Sequence, residues 1–251
     1  MNKHLVALLV VPLLGASPTL APTLSSASEP ACGAPGPAIW PVKSTPYGKS
    51  YEQWASAWWQ WAFSLPPAVN PLLDETGDQC MVGQQGPVWN LAGVPGTGEV
   101  SRQCDVPCDR ALLFPFFNAF NINVFPPPYA SDQELQQALV GFINDVVSSV
   151  AAELDGVPLP GSDMRRIRPH FFSYTLPEEN LLLPFFGLDV PAGVYSPAVG
   201  DGYYMMLSPL APGPHTLHFT ANGDFGGGPQ VIQDVTYELN VVAPPSIPVP
   251  Q

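Results

Sequence analysis

Positive charge is scarce in this chain. Eight Lys and Arg stand against 21 Asp and Glu over 251 residues, a formal net charge of −13. A surface of that sign repels phosphate backbones, which argues against nucleic acid as a partner. The one basic cluster, RRIR (Arg165–Arg168), is short and reads as a solvated loop making local ion pairs. Nucleophile and phosphate signatures are missing too: there is no GxSxG, HExxH or SxxK, and no glycine-rich loop at a strand–helix junction. A noncontiguous triad leaves no local motif, so a secreted hydrolase or metal-dependent enzyme stays as the alternative reading. Beyond the first residues no run is long and apolar enough for a transmembrane helix.

What is present begins with a leader pattern. Lys3 and His4 precede an apolar run, Leu5–Leu14, broken only by Pro12, and Ser25–Ala27 supplies a small-x-small cleavage signal. Residues 1–27 are therefore expected to be a signal peptide and the mature protein to be exported, secreted or periplasmic. Residues 28–46 read as an extended Pro/Gly/Ala-rich arm, 47–242 as a single domain and 243–251 as a proline-rich tail.

The four cysteines suit an oxidising destination. Of the three pairings they allow, Cys80–Cys104, which closes a Gly-rich loop, and Cys32–Cys108, which pins the arm, are the expected ones. The CDVPC spacing has no second cysteine pair or HxxxH near it, so a disulfide is the better reading than zinc.

Two stretches carry helical periodicity. In YEQWASAWWQWAF, Tyr51, Trp54, Trp58 and Trp61 form an apolar stripe that Trp59 and Phe63 widen. Ser50 and Gln53 make a capping box, and Pro66–Pro67 end the helix, expected over about 50–65. Its polar face bears Gln and Ser rather than basic residues, which favours docking on a sheet over lying on a membrane. The second helix is expected over about 131–155, with Ser131 and Glu134 at its start and Gly156 closing it. Period-two alternation marks strands at Pro214–Ala221 and Gln233–Val242, and Gly202–Leu210 supplies another. GPVWNLAG, ALLFPFF, RPHFFSYTL and LLLPFFGL are weaker strand candidates. The expected class is mainly β with helices (α+β), an antiparallel β-sandwich or jelly-roll-like core with two packed helices.

Candidate site residues follow from chemistry. Trp40 and Trp89 lie outside the aromatic helix and are candidates for a stacking surface, with Asn118, Asn121 and Asn123 as hydrogen-bonding amides beside them. His215 and His218 point to opposite faces of one strand, so a metal pair would need His170 with His215. Glu238 is the expected strand neighbour of His218. Asp74 and Asp78, gathered with Glu75 in LLDETGDQC, could offer hard oxygen ligands to calcium. The fragment APGPHTLHF resembles the second half of a cupin metal motif, without the HxH and Glu that complete it.

YGKSYEQWASAWWQWAFSLP, GQQGPVWNLAG, CDVPCDRALLFPFFN and DGYYMMLSPLAPGPHTLHF with QDVTYELNVV together resemble a group of uncharacterised bacterial secreted proteins. The likeness spans most of the mature chain. It implies a bacterial exported protein and brings no catalytic residues. The leading functional expectation is a non-enzymatic binding or envelope-associated protein with a glycan or protein ligand. Mass mapping of non-reduced protein should find no free thiol and a Cys80–Cys104 cross-link; an unpaired Cys80 would overturn the pairing.

Overall fold

The computed structural model describes Cys32 and residues 39–124, 129–161 and 165–243, with Arg168 and Pro169 described in backbone only. The expected leader, the rest of the arm and the tail beyond Ala243 lie outside the described residues. In chain order the main elements are α1 (Tyr51–Ser64), β1 (Val88–Asn90), β2 (Gly98–Pro107), β3 (Ala111–Ile122) and α2 (Asp132–Val146). There follow β4 (Val147–Leu154), β5 (Val157–Pro158), β6 (Arg166–Leu176), α3 (Leu182–Phe186), β7 (Gly193–Leu207), β8 (Gly213–Gly223) and β9 (Gln230–Val242).

Two burial patterns sort the strands. β2, β8 and β9 alternate buried and accessible residues, as strands with one watered face must. They belong to a five-stranded sheet ordered β2-β9-β8-β4-β5. In β3, Ala111–Phe117 is buried without a break, and β7 is nearly so from Ala198 onward. These two sit in the middle of the four-stranded sheet β1-β3-β7-β6, which is covered on both faces. One face packs on the five-stranded sheet, where Phe114 stacks on Phe219 at 4.8 Å between ring centroids. The other receives α1 against Leu113, Tyr174, Tyr204 and Met206.

The sandwich is mostly antiparallel, but β1 pairs with β3 and β2 with β9 in parallel. The chain runs from β1 to β2 in the opposite sheet and back to β3, which supplies the crossover that a parallel pair requires. β3 tolerates Pro115 because β1 flanks only Ala111–Leu113, and because a bulge between Pro115 and Phe117 relaxes the ladder there.

Helix α1 matches its sequence pattern. Ser50 and Gln53 form the capping box, with Ser50 N donating to Gln53 Oε1 at 2.9 Å. Buried Asn70 gathers the other end, its amide donating to the carbonyls of Ala62 and Leu65. The second helix stops at Val146, not near 155. Val147–Leu154 opens at the second of two adjacent β-branched valines, Val146 and Val147, and gains more by pairing with β8 than by adding helical turns. Asp155 and Gly156, expected to end the helix, instead turn the chain from β4 into β5. Both hold positive φ (54° and 74°), as a two-residue Asp-Gly hairpin needs. LLLPFFGL holds the short helix α3 rather than a strand, closed by Gly187 in the left-handed region. RRIR enters β6: Arg166 pairs with buried Asp201 through contacts of 2.7 and 3.0 Å, so this is no solvated loop.

Both expected disulfides, Cys80–Cys104 and Cys32–Cys108, are formed. With 24 and 76 residues of separation, loop-closure entropy assigns them about 3.5 and about 4.5 kcal/mol. Ile39 bridges to Leu207, and Trp40 N donates to Met206 O at 2.9 Å, so this end of the arm extends along β7. Trp58 is fully buried with its indole bonded to Leu91 O at 3.0 Å. Trp58→Ala should cost about 3–5 kcal/mol of stability, read as a lower denaturant midpoint in urea unfolding.

Candidate functional site

The sequence candidates separate into three groups. Trp89 is buried in the inter-sheet core and Trp40 packs against the α1 cluster, so neither offers a stacking surface. Asn121 and Asn123 tie backbone: Asn121 bonds Leu135 O and Ile122 N, and Asn123 clasps the N–H and carbonyl of Tyr129. Asn118 alone among these lines a cleft.

That cleft has a volume of about 440 Å³, within the ~300–1,000 Å³ span of small-molecule sites. Its floor is Phe117–Phe120 of β3 beside Trp59 and Phe63 of α1. Phe142 of α2 and Phe225 form one lip, with Phe225 5.9 Å from Phe142 and 6.1 Å from Phe117. Phe185 and Phe186 of α3 form another, Phe186 lying 5.8 Å from Phe120. Phe142, Phe186 and Phe225 remain 39, 47 and 43% exposed, a cluster of large apolar groups at the mouth. Clustered exposure of this kind marks interaction sites, whereas single exposed residues do not.

Two glycines make the floor possible. A Cβ on Gly202, the register partner of Asn118, would lie 2.6 Å from Asn118 Cα and from Phe117 O. A Cβ on Gly200 would press within 3.1 Å of the Trp59 ring. The wall at Val94–Gly96 is fixed by a polar clasp. Gln233 Oε1 accepts from Val94 N, and its amide donates to Val94 O and Gly96 O. Below it Arg102, 2% exposed, donates to the carbonyls of Asp74, Ala92 and Gly93 and to the Tyr237 hydroxyl. Tyr237 in turn bonds both backbone groups of Ala92. Phe225 is displayed by a turn in which Asp224 Oδ1 accepts from Gly226 N and Gly228 N.

Electrostatically the cleft is neutral. None of the side chains lining it ionises in the working pH range. Asn118 Nδ2 donates to the Tyr204 hydroxyl at 2.9 Å, and burial pushes that phenol up, so it too stays uncharged. Gln233 is fully spent on the wall, which leaves the Asn118 carbonyl oxygen as the side-chain acceptor without a partner among the described residues.

The expected metal ligands do not converge. His170 lies on β6 and His215 on β8, in different sheets. Asp74 and Asp78 line a separate acidic recess of about 330 Å³, but Asp74 already accepts from Thr76 N, Thr76 Oγ1 and Gln79 N. Burial would raise the Asp74 pKa, yet these hydrogen bonds together hold it below the usual carboxylate value. Among the described residues no three His, Cys, Asp or Glu side chains are grouped to hold a metal ion. His218 faces Asp234 at 2.8 Å and Glu153 at 3.6 Å, not Glu238, which accepts from Thr216. His215 Nδ1 meets Asp155 at 2.8 Å and Nε2 meets Ala211 O. Among the described residues neither of these two histidines is paired with a hydroxyl or thiol nucleophile.

Sequence reasoning missed Phe117, Phe142, Phe186, Phe225 and Gln233. Phe225 carried a usable signal: an aromatic residue set between Asp and three glycines in a hairpin turn has little core to enter. Comparison with protein-family models, with curated proteins and with solved structures gives no match, and function is therefore read from geometry alone.

Burial lowers the His215 pKa, but the Asp155 carboxylate and the Ala211 carbonyl outweigh it and leave the value raised above 6.5. Asp155 is depressed below 3.8, its hydrogen bonds from His215 and Thr216 outweighing burial. The pair's contribution is complete between these two ordinary values. It fades as pH rises through the raised histidine value, and as pH falls through the depressed carboxylate one. The Asp155 side chain is 47% exposed and His215 17%, so water screens the carboxylate side of the pair and the stability effect is small. An NMR titration of His215 should give a midpoint above 6.5 that drops in Asp155→Asn; an unchanged midpoint would contradict the pairing.

Proposed function

We propose that the protein is an exported, non-catalytic binding protein whose ligand occupies the aromatic cleft. The observation that carries this reading is a preformed cleft of about 440 Å³, lined by aromatic rings from α1, β3, α2 and α3 and rimmed by exposed Phe142, Phe186 and Phe225. Its wall and floor are set by internal hydrogen bonds and by close glycine contacts, which lowers the ordering cost of binding. Export is supported by the leader pattern and by the two disulfides. The lining favours an apolar body over the glycan expected from the sequence. A sugar's hydroxyls each need a partner, and the side chains here supply little beyond Asn118. An envelope component reaches such a site through an apolar group rather than through a flat protein face.

N-phenyl-1-naphthylamine, a small neutral aromatic fluorophore, tests the cleft directly. It should bind saturably with enhanced emission and quench tryptophan fluorescence through Trp59. Phe225→Ala should weaken binding about 5- to 30-fold, the effect of losing 1–2 kcal/mol at an interface anchor, with the thermal midpoint unchanged. Absence of saturable binding, or equal affinity in the variant, would overturn the proposal.

A further inference from the structure

We infer that the cleft selects an uncharged amphiphile, one with an apolar body and a single hydrogen-bond-donating head group that the Asn118 carbonyl reads. This rests on the binding function proposed above and narrows it to a ligand class. Two independent features of the site support the narrowing.

The first is charge. A carboxylate or ammonium head group entering the cleft leaves water for a lining without an ionisable side chain, and no counter-ion compensates it. For an anion the penalty is compounded by the protein's net charge of −13, which disfavours approach as well as residence. A neutral ligand meets neither obstacle. The second feature is the state of the two amides. Gln233 has both ends engaged with Val94 and Gly96, so it shapes the wall and offers nothing to a ligand. Asn118 has one of its two N–H groups engaged by Tyr204 and its carbonyl unpaired among the described residues. An unpaired amide oxygen rewards a hydroxyl or amide N–H and gives nothing to an ether or ester oxygen. The Asn118 backbone lies close against Gly202, and the bond from Nδ2 to the Tyr204 hydroxyl at 2.9 Å holds the amide, which positions the acceptor.

Displacement of bound N-phenyl-1-naphthylamine by a ten-carbon series provides the test: 1-decanol, decyl methyl ether, decanoate and decyltrimethylammonium. Decanol should displace the dye at a concentration at least about tenfold below either ion and several-fold below the ether. Asn118→Leu should abolish the preference for the alcohol over the ether, each read against the dye affinity of that same variant. Because that change also deprives Tyr204 of its partner, Asn118→Asp serves as a second variant. It replaces the amide donor by a carboxylate to which the phenol can donate, and should shift preference toward the quaternary ammonium ion. Dye that binds but is displaced equally well by decanoate, or by the ether as well as by decanol, overturns the inference and leaves the binding function standing. Failure of the dye itself to bind removes both.

Discussion

Burying an indole or phenol ring requires that its polar tip be satisfied somewhere, and in α1 that requirement organises the surrounding chain. The Tyr51 hydroxyl donates to Trp40 O, and the indoles of Trp54, Trp58 and Trp61 donate to Pro46 O, Leu91 O and Val82 O. The four acceptors belong to the N-terminal arm, to the loop before α1, to the segment after β1 and to the loop that carries Cys80. None lies in another α-helix or in a strand ladder, although Pro46 opens a single 3-10 turn. One helix thereby fixes four segments that alternation and propensity alone would leave undetermined. The four-stranded sheet depends on it in turn, because that sheet is apolar on both faces and needs a second cover.

A buried charge imposes the same logic on the opposite side of the cleft. Arg102 has no carboxylate partner among the described residues and is held by three backbone carbonyls and a hydroxyl. Removing a guanidinium from water is tolerable only when its donors are used, so the loops at Asp74 and at Ala92–Gly93 are held where those carbonyls are needed. Cys104, two residues further along β2, is bonded to Cys80 and ties down the same region covalently. The cleft wall at Val94–Gly96 hangs from this knot, which explains how a segment without regular structure can form one side of a preformed site.

Legibility in the sequence tracked whether the physics was local. The capping box of α1, the alternation of β8 and β9, and both cysteine pairs rest on near neighbours or on simple parity, and all are visible in the chain. β2 was hidden because its inward positions read Val100, Arg102, Cys104, Val106: a charged residue in the apolar register breaks the pattern, and only the carbonyl cage makes it admissible. The strand at Val147–Leu154 was hidden because its helical spacing continues that of α2, and its pairing with β8 lies some seventy residues away. The cleft was least legible. Its residues come from eight separated stretches, and Asn118 drew notice as one of three amides at a strand end, although the other two secure backbone.

Trp59 joins the two halves of this account. It belongs to the helix that covers the sheet, lies edge-on to Trp58 at 4.9 Å and stacks on Phe63 at 5.6 Å, yet its ring also lines the cleft above Gly200. The ring is only 5% exposed, so it reaches the cleft by its edge while Trp58, Phe63 and Phe120 hold the rest of it. Occupancy and stability are then linked by mass action: whatever binds the folded cleft and not the unfolded chain stabilises the seat of α1 on the sheet. The tryptophan-rich helix is thus both the cover of the fold and, through one of its four indoles, part of the lining of the cleft.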